Sequence, residues 1–491
     1  MSYAVVTSAC MHGATVFPVA IEVDIQPGLP EFKIIGLPDK QIDEARTRVK
    51  TAMKNSGIGF PQGRVTINLS PSNIPKRGTG LDLGMALGIV SAMRKRVLVP
   101  EGCWALGELA LNGELRLFRQ FVPLLIEAAR TRVLGCVLPL CRVSGLSNLG
   151  LLPMQDLKEC VRCLEENQGL VYPPKPRGRR EPAAKPAYSL DQIIGQTKAK
   201  RALLIALAGG HNLFLTGPRG VGKSMLAQAA VELLPDLEGN ALLELASLRS
   251  LRDHNESVLF DRRPPFRSPH HHISVAGMLG GGPELQPGEL SWAHRGVLFL
   301  DEFPEFSRDV CEALREPLQN KQVNLQRQGL HCSFPADCIV IAAQNNCPCG
   351  LFGSKQKRCL CSQGQIRSYR TKLSQSLLDR FDLFCELDPV DFTEAPAKLG
   401  KDFAQAIRRT RSLARSLNTA LAPEALAGWI PETAEIRRLL MLAQEKYLLS
   451  GRGLIKLQKV AVTIAQLAGE ATVSPDHLRE ALQYRQNLEI P

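Results

Sequence analysis

His211-Asn-Leu-Phe-Leu-Thr216-Gly217-Pro218-Arg219-Gly220-Val221-Gly222-Lys223-Ser224 decides how the rest of this chain is read. The first six residues predict a short buried strand, and Met225 to Leu234 predicts a helix. Between them, Gly217 to Ser224 spells G-x-x-x-x-G-K-S in the strand–loop–helix setting that a phosphate-binding loop requires. Its glycines let backbone N–H groups point at phosphate oxygens, and the helix N-terminus adds its positive end. Lys223 is then placed to reach the β- and γ-phosphates, and Ser224 to ligate Mg²⁺. The stretch predicts a nucleotide-binding α/β domain.

Working outward, Val297-Leu298-Phe299-Leu300 runs into Asp301-Glu302. That puts two carboxylates at the C-terminal edge of a parallel sheet, where α/β sites lie. Alone, the pair would be a strand ending at a polar turn. Downstream of a phosphate loop, Asp301 is expected in the Mg²⁺ shell, and Glu302 is expected to orient or deprotonate the attacking water. Ile339 to Ala343 predicts a third strand, adjacent to the carboxylate strand and ending at Gln344-Asn345, whose amide can bond the water or the γ-phosphate. In Leu377-Leu-Asp-Arg380-Phe-Asp382, Arg380 follows a helical start. It is either a surface ion-pair partner or an arginine finger lent to a neighbouring subunit.

The chain's 491 residues suggest two to four domains at about 150 residues each. With 44% apolar and 22% charged residues the composition is that of an ordinary globular protein. No uncharged apolar run approaches the roughly 18 residues of a membrane span, and MSYAVVTSAC lacks the basic region of a secretory signal. Sixty Lys and Arg against 48 Asp and Glu leave +12, which favours a polyanionic partner, nucleic acid first. The 14 cysteines in so long a chain argue for a reducing, cytoplasmic setting rather than disulfides, with ten scattered ones acting as small buried hydrophobes. Val171 to Ser189, rich in proline and basic residues, predicts a linker. Before it, short runs such as Ile21–Ile25 and Val65–Leu69 alternate with helical stretches such as Lys40 to Asn55. After about Pro389 the pattern is helical, and Ser474-Pro475 opens the last helix.

Several motifs outside the phosphate loop carry a resemblance. They are Pro265-Phe-Arg-Ser-Pro-His-His271, Gly280-Gly-Gly, Pro287-Gly-Glu289-Leu, Gly296-Val-Leu-Phe-Leu-Asp-Glu-Phe-Pro-Glu305 and Ala342-Ala-Gln-Asn345. In the first half they are Gly28-Leu-Pro-Glu-Phe, Ile35-Gly-Leu-Pro38, Glu44-Ala-Arg-Thr-Arg-Val49 and Asn68-Leu-Ser-Pro-Ser. Together they resemble the ComM/YifB family of Mg-chelatase-like AAA+ ATPases over nearly the whole chain. The resemblance implies four divisions. Residues 1–170 form a ribosomal-S5/Lon-protease-like domain, 171–189 the linker, 190–390 an AAA+ core, and 391–491 a helical lid. It places sensor 1 at Asn345, the arginine finger at Arg380 and the sensor 2 arginine at Arg452. It implies ATP and Mg²⁺, a homo-hexameric ring, translocation on single-stranded, duplex or branched DNA, and branch migration in natural transformation alongside recombination proteins. Val462 stands where the family usually has a basic lid residue. Gly80, in Pro75-Lys-Arg-Gly-Thr79-Gly80-Leu-Asp82, stands where Lon has its serine, so a Lon-like protease is the weaker alternative. A metal-chelatase motor subunit is the other.

Spacing adds further expectations. The path from Lys223 to Asp301 is longer than one helix–strand–helix connection needs, and the surplus falls near Pro264 to Leu290, where the resembled AAA+ branch has a helix-2 insert facing the pore. His270, His271 and His272 lie there, and three consecutive histidines are not expected to converge on one ion. Val323 to Phe334 predicts a hairpin before the sensor strand, with Arg327, Gln328 and His331 at its tip. The tip either contacts a phosphate backbone or is simply solvated. Cys347, Cys349, Cys359 and Cys361 form C-x-C-x₉-C-x-C, which predicts structural Zn²⁺, with free thiols or redox chemistry as the alternative. No acid occurs from Cys347 through Leu378, while Lys355, Lys357 and Arg358 do, so this loop is a candidate DNA-facing element.

Overall fold

The computed structural model describes residues 2–12, 15–141, 146, 148–166, 188–253, 256–283, 285–327, 330–354, 357–389, 399–413, 418–447 and 449–485. The expected linker up to residue 187, Gln328 and Lys355 lie outside them. The chain divides into two compact units.

The nucleotide unit comprises Pro182–Leu237, Arg263–Leu325 and Ser333–Pro491. Its centre is a five-stranded parallel sheet of β1 (Leu213–Thr216), β2 (Phe266–Arg267), β3 (Val297–Leu300), β4 (Ile339–Gln344) and β5 (Leu383–Glu386), in the order β2-β3-β4-β1-β5. Every residue of β3 and β4 is buried, as a parallel sheet covered on both faces requires. Leu213 pairs with Ile341 on one side and Leu383 on the other, so β1 lies inside the sheet and its C-terminal end opens directly into the phosphate loop. The sequence expectation that the carboxylate strand neighbours the sensor strand holds: Val297 pairs with Ile339 and Leu300 with Ala342. The expected irregular segment from Pro264 begins as sheet, because Phe266 and Arg267 pair with Val297 and Leu298 at the edge.

Helices Thr197–Gly209 and Lys223–Leu233 share one apolar core with the lid helices Gly451–Ala468 and Pro475–Leu482. Each fully buried Val, Leu or Ile in such a core contributes roughly 1.5–3 kcal/mol. Val462 is among them, fully inaccessible, which explains how the lid dispenses with a basic residue there. Polar bonds fix the lid's orientation: Arg201 grips Glu480 through two bonds of 2.8 and 3.1 Å, and Arg411 Nη2 donates to the Leu207 carbonyl at 2.6 Å. Pro475 stands at the first turn of its helix, as expected, and the Ser474 amide donates to His477 Nδ1 at 3.1 Å.

The N-terminal unit holds a four-stranded sheet in the order Ser2–His12, Thr15–Gln26, Arg64–Ser70, Glu31–Ile35. The first three strands are antiparallel, and the last lies parallel to Arg64–Ser70. Helix Lys40–Asn55 starts at Asp39, whose carboxylate accepts from the Ile42 amide at 2.9 Å, and buries Ile42, Ala45, Val49, Ala52 and Met53. A three-stranded parallel sheet (Cys103–Ala105, Gly135–Pro139, Gly150–Met154) completes the α/β unit. Gly80 is pressed against a ring: a Cβ there would lie 2.4 Å from Phe118. The position has no room for a nucleophilic side chain.

One assignment from sequence needs correction. The surplus chain between Lys223 and Asp301 is not confined to Pro264–Leu290. Residues Glu238–Arg262 leave the nucleotide unit and cluster with the N-terminal one. Helix Gly239–Ser250 places Leu243 and Ala246 in a core with Phe121, Leu124 and Leu125, and the Gln120 amide donates to the Ser250 carbonyl at 2.9 Å. Gln326–Cys332, at the hairpin, cluster with the same unit. Among the described residues no helix is long and apolar enough to cross a membrane.

Candidate nucleotide site

The phosphate loop forms between the end of β1 and helix Lys223–Leu233, which begins two residues before the start expected from sequence. Gly222 caps it at φ +97°, a left-handed conformation that a β-carbon disfavours. Lys223 is 7% exposed, and its ammonium donates to the carbonyls of Gly217 and Pro218, both at 2.8 Å, and to Asn345 Oδ1 at 3.0 Å. Burial pushes its pKa down to about 8, opposed in part by the Asp301 and Glu302 carboxylates. An arriving phosphate would offer this cation stronger partners than two carbonyls and an amide.

Ser224 Oγ donates to Asp301 Oδ2 at 2.8 Å. Adjacent ligands of an octahedral Mg²⁺ at 2.0–2.1 Å stand about 2.9 Å apart, so this pair suits two positions of one ion's shell. Glu302 follows in left-handed backbone (φ +50°), with its amide donating to Asp301 Oδ1 at 2.9 Å. That turn leaves the Glu302 carboxylate half-exposed, with His271 Nδ1 at 4.0 Å from it. The group can therefore meet a water that Asp301 does not hold.

Lys223, Ser224, Asp301 and Asn345 thus come together from β1, β3 and β4, although they are remote in sequence. Arg380 follows the short helix Gln375–Leu378; its Nε is buried without a hydrogen-bond partner among the described residues, while its carbonyl accepts from Asn212 Nδ2 at 3.0 Å. Arg452 is exposed in the first turn of Gly451–Ala468, where Ser450 Oγ accepts from the Gly453 amide at 3.2 Å. No described hydrogen bond joins Arg452 to the phosphate loop.

Sequence reasoning passed over Asp382 except as part of a run. Its carboxylate accepts from the Asn212 amide at 3.0 Å, pairs with the lid's Lys456 at 2.9 Å and faces His211 Nδ1 at 3.8 Å, while His211 Nε2 bonds Thr463 Oγ1 at 2.7 Å. Burial would raise its pKa, but Lys456 and His211 more than offset that and hold the carboxyl well below its usual range. The available signal was an acid two residues beyond a basic one, just before an apolar strand.

The three histidines do converge, contrary to expectation: their ring centroids lie 4.2, 4.3 and 5.1 Å apart and their ligand atoms within 4.8 Å of one another. Irregular backbone turns them together where a helix or strand would splay them. The predicted hairpin is present, with strands Gln322–Arg327 and Leu330–Pro335; Arg327 and His331 are exposed. The four cysteines also converge, with Sγ separations of 3.3, 3.6 and 3.6 Å among Cys347, Cys349 and Cys359, and Cys361 within 4.8 Å of the rest. Lys357 and Arg358 are exposed on that loop. Of the ten scattered cysteines, eight are buried, and Cys141 and Cys338 are partly so.

Comparison with known proteins agrees with this layout. Residues 21–141 match the family model for subunit ChlI of Mg-chelatase, 189–395 that for magnesium chelatase subunit ChlI, and 396–485 that for the ChlI C-terminal region. YifB of Escherichia coli K12 is 35% identical over 503 residues, covering 99% of this chain and 97% of its own. Competence protein ComM of Haemophilus influenzae is 35% identical over 499 residues, covering 99% and 98%. The magnesium-chelatase 38 kDa subunit of Acidiphilium rubrum is 26% identical over 328 residues, 60% of this chain and 88% of its own. With this likeness running from end to end, and with the phosphate loop, paired carboxylates and amide gathered on one sheet, the chain belongs to the ComM/YifB family of Mg-chelatase-like AAA+ proteins.

Proposed function

We propose that the protein is an ATP-driven DNA motor that works as a ring of six and promotes branch migration during recombination in natural transformation. Lys223 and the phosphate loop bind the triphosphate, and Ser224 and Asp301 hold Mg²⁺, which screens charge on the phosphates. Glu302 orients and deprotonates the attacking water, and Asn345 fixes the γ-phosphate end of the site. Arg380 serves the neighbouring subunit's nucleotide, and Arg452 closes the lid on it. The observation that carries the motor reading is the Lys223–Asn345 bond, which ties the phosphate loop to the strand whose continuation bears the acid-free basic loop. Arg327, Gln328 and His331 on the hairpin, with Lys355, Lys357 and Arg358 on the loop, contact the DNA backbone. The relative named for competence supports the same substrate. Cys347, Cys349, Cys359 and Cys361 would hold a structural Zn²⁺.

A chelatase motor subunit is the second reading, favoured by the 26% identity to a magnesium-chelatase subunit. ATPase activity with and without forked DNA separates the two. Stimulation of about tenfold or more that Arg327→Ala removes is expected of the DNA motor; no response to any DNA structure defeats it. Mixing Arg380→Ala with Lys223→Ala subunits should restore part of the ATPase, because one interface then keeps an intact site. No recovery in assembled mixtures would rule out a finger acting between subunits.

A further inference from the structure

Phosphate-loop chemistry gives no reason for four cysteines to begin two residues after Asn345. The structure supplies one. Their loop turns back over the outer wall of the phosphate loop: the Arg219 amide donates to the Gly350 carbonyl at 2.8 Å, and a Cβ on Gly353 would lie 3.5 Å from the Pro218 ring. The same loop is pinned to the end of the sensor strand. The Phe352 amide donates to Cys347 Sγ at 3.3 Å, and Asn346 Nδ2 donates to the Phe352 carbonyl at 3.4 Å and to Glu386 Oε1 at 3.3 Å. Arg370 Nε closes the far side on the Asn346 carbonyl at 3.3 Å. Thiols, sensor strand and phosphate loop form one bonded shell.

The sulfur geometry suits an ion. A tetrahedral Zn²⁺ with Zn–S near 2.3 Å sets its thiolates about 3.8 Å apart, and the observed separations of 3.3 to 3.6 Å fall just inside that. The bonds just described hold its first half, to Phe352, while its outer surface is open to solvent. Gly350 and Gly353 turn at φ +74° and +84°, Leu360 is 89% exposed and Phe352 41%. Four thiolates would also repel one another without a cation between them.

We propose that the tetrathiolate metal braces the nucleotide site: it clamps the Cys347–Cys361 loop onto the backbone of Pro218 and Arg219, so that metal occupancy and nucleotide affinity are linked. This rests on the zinc reading above. Loss of the ion frees the Gly350 carbonyl, and the phosphate loop loses the partner that holds its Arg219 amide. Linkage is reciprocal, so bound nucleotide tightens metal binding by the same factor.

The test uses the full chain purified without chelators. Metal analysis should find about one zinc per chain. A zinc-selective chelator that leaves Mg²⁺ in place should weaken binding of a fluorescent ATP analogue about tenfold, and added zinc should restore it. Saturating analogue should raise the zinc affinity about tenfold, read by competition with a chelator of known affinity. Gly350→Ala brings a Cβ within 3.0 Å of the Arg219 Cβ at an unfavourable φ, so it should keep its zinc yet bind nucleotide more weakly. Cys359→Ser should lose both, with circular dichroism checking the fold; should it unfold, chelation of the native chain and Gly350→Ala still decide. Absence of zinc overturns the zinc reading itself. Zinc present, with nucleotide affinity and zinc affinity indifferent to one another, overturns the brace and leaves a structural zinc standing.

Discussion

Each unit buries a lysine on a glycine-bearing loop, and the two lysines do different things. Lys223 is 7% exposed and Lys76 fully inaccessible. Burial lowers the pKa of both. Lys223 sits on a helix N-terminus beside Asp301 and Glu302, with its ammonium on three oxygens that phosphate can replace. Lys76 donates to the Pro71 carbonyl, and its titratable neighbour is the Cys10 thiol, itself pushed up to about 12 by burial. The nearby acid, Asp39, is taken up by the backbone, its Oδ2 accepting from the Gly78 amide at 3.3 Å and its Oδ1 from the Ile42 amide at 2.9 Å, and Phe118 fills the space at Gly80 where a reacting group would have to stand. A buried cation becomes a site only when its surroundings leave it something to trade.

The largest expected effect is at Lys223. Lys223→Ala should weaken nucleotide binding by about 100-fold or more, since a desolvated charge-assisted contact is removed. Lys76→Met should leave nucleotide affinity unchanged and shift stability by no more than about 2 kcal/mol, because a buried charge gives way to an apolar chain of similar length. Calorimetric binding on both variants checks this; equal losses would erase the distinction.

Next comes Gly80. Gly80→Ser should cost about 1–3 kcal/mol through overpacking against Phe118 and should confer no peptidase activity. A serine variant that cleaves an unfolded substrate would mean the loop is a protease site missing only its nucleophile.

The smallest effect is the pH dependence of nucleotide affinity. Burial holds the Lys223 pKa down at about 8, and a phosphate would favour its protonated form. Affinity should be level below pH 8 and then fall, by at most about tenfold per unit, as pH rises toward the higher pKa of the bound state. Stability moves the other way in that window, because the unfolded lysine keeps its proton up to its ordinary pKa of about 10.4 while the folded one sheds it. A flat profile from pH 8 to 10 would mean that the ammonium is not held as the geometry indicates.

The nucleotide site was legible in the sequence because phosphate chemistry dictates it locally. Backbone amides, one lysine and one hydroxyl must be consecutive, and the carboxylates must end a buried strand. The cysteine cluster was legible for the same reason. The destination of Glu238–Arg262 was not, since it depends on a surface formed by Phe121 and Leu124 far earlier in the chain. A signal was present: helix Gly239–Ser250 buries Leu242, Leu243, Leu245, Ala246 and Leu248, apolar on more than one face, as a helix with neighbours on both sides must be. The Arg219–Gly350 bond left no trace in either stretch, because it joins two backbones.

Asp382 sets how motion is geared through the nucleotide unit. One carboxylate holds the entry of β1 through Asn212 and the lid through Lys456, two residues from Arg380. Tearing Lys456 away would strand a buried charge at a cost of about 3–5 kcal/mol, several times thermal energy. Lid, strand entry and the Arg380 segment therefore behave as one stiff lever, and a tilt begun at one end of it reaches the other without slack.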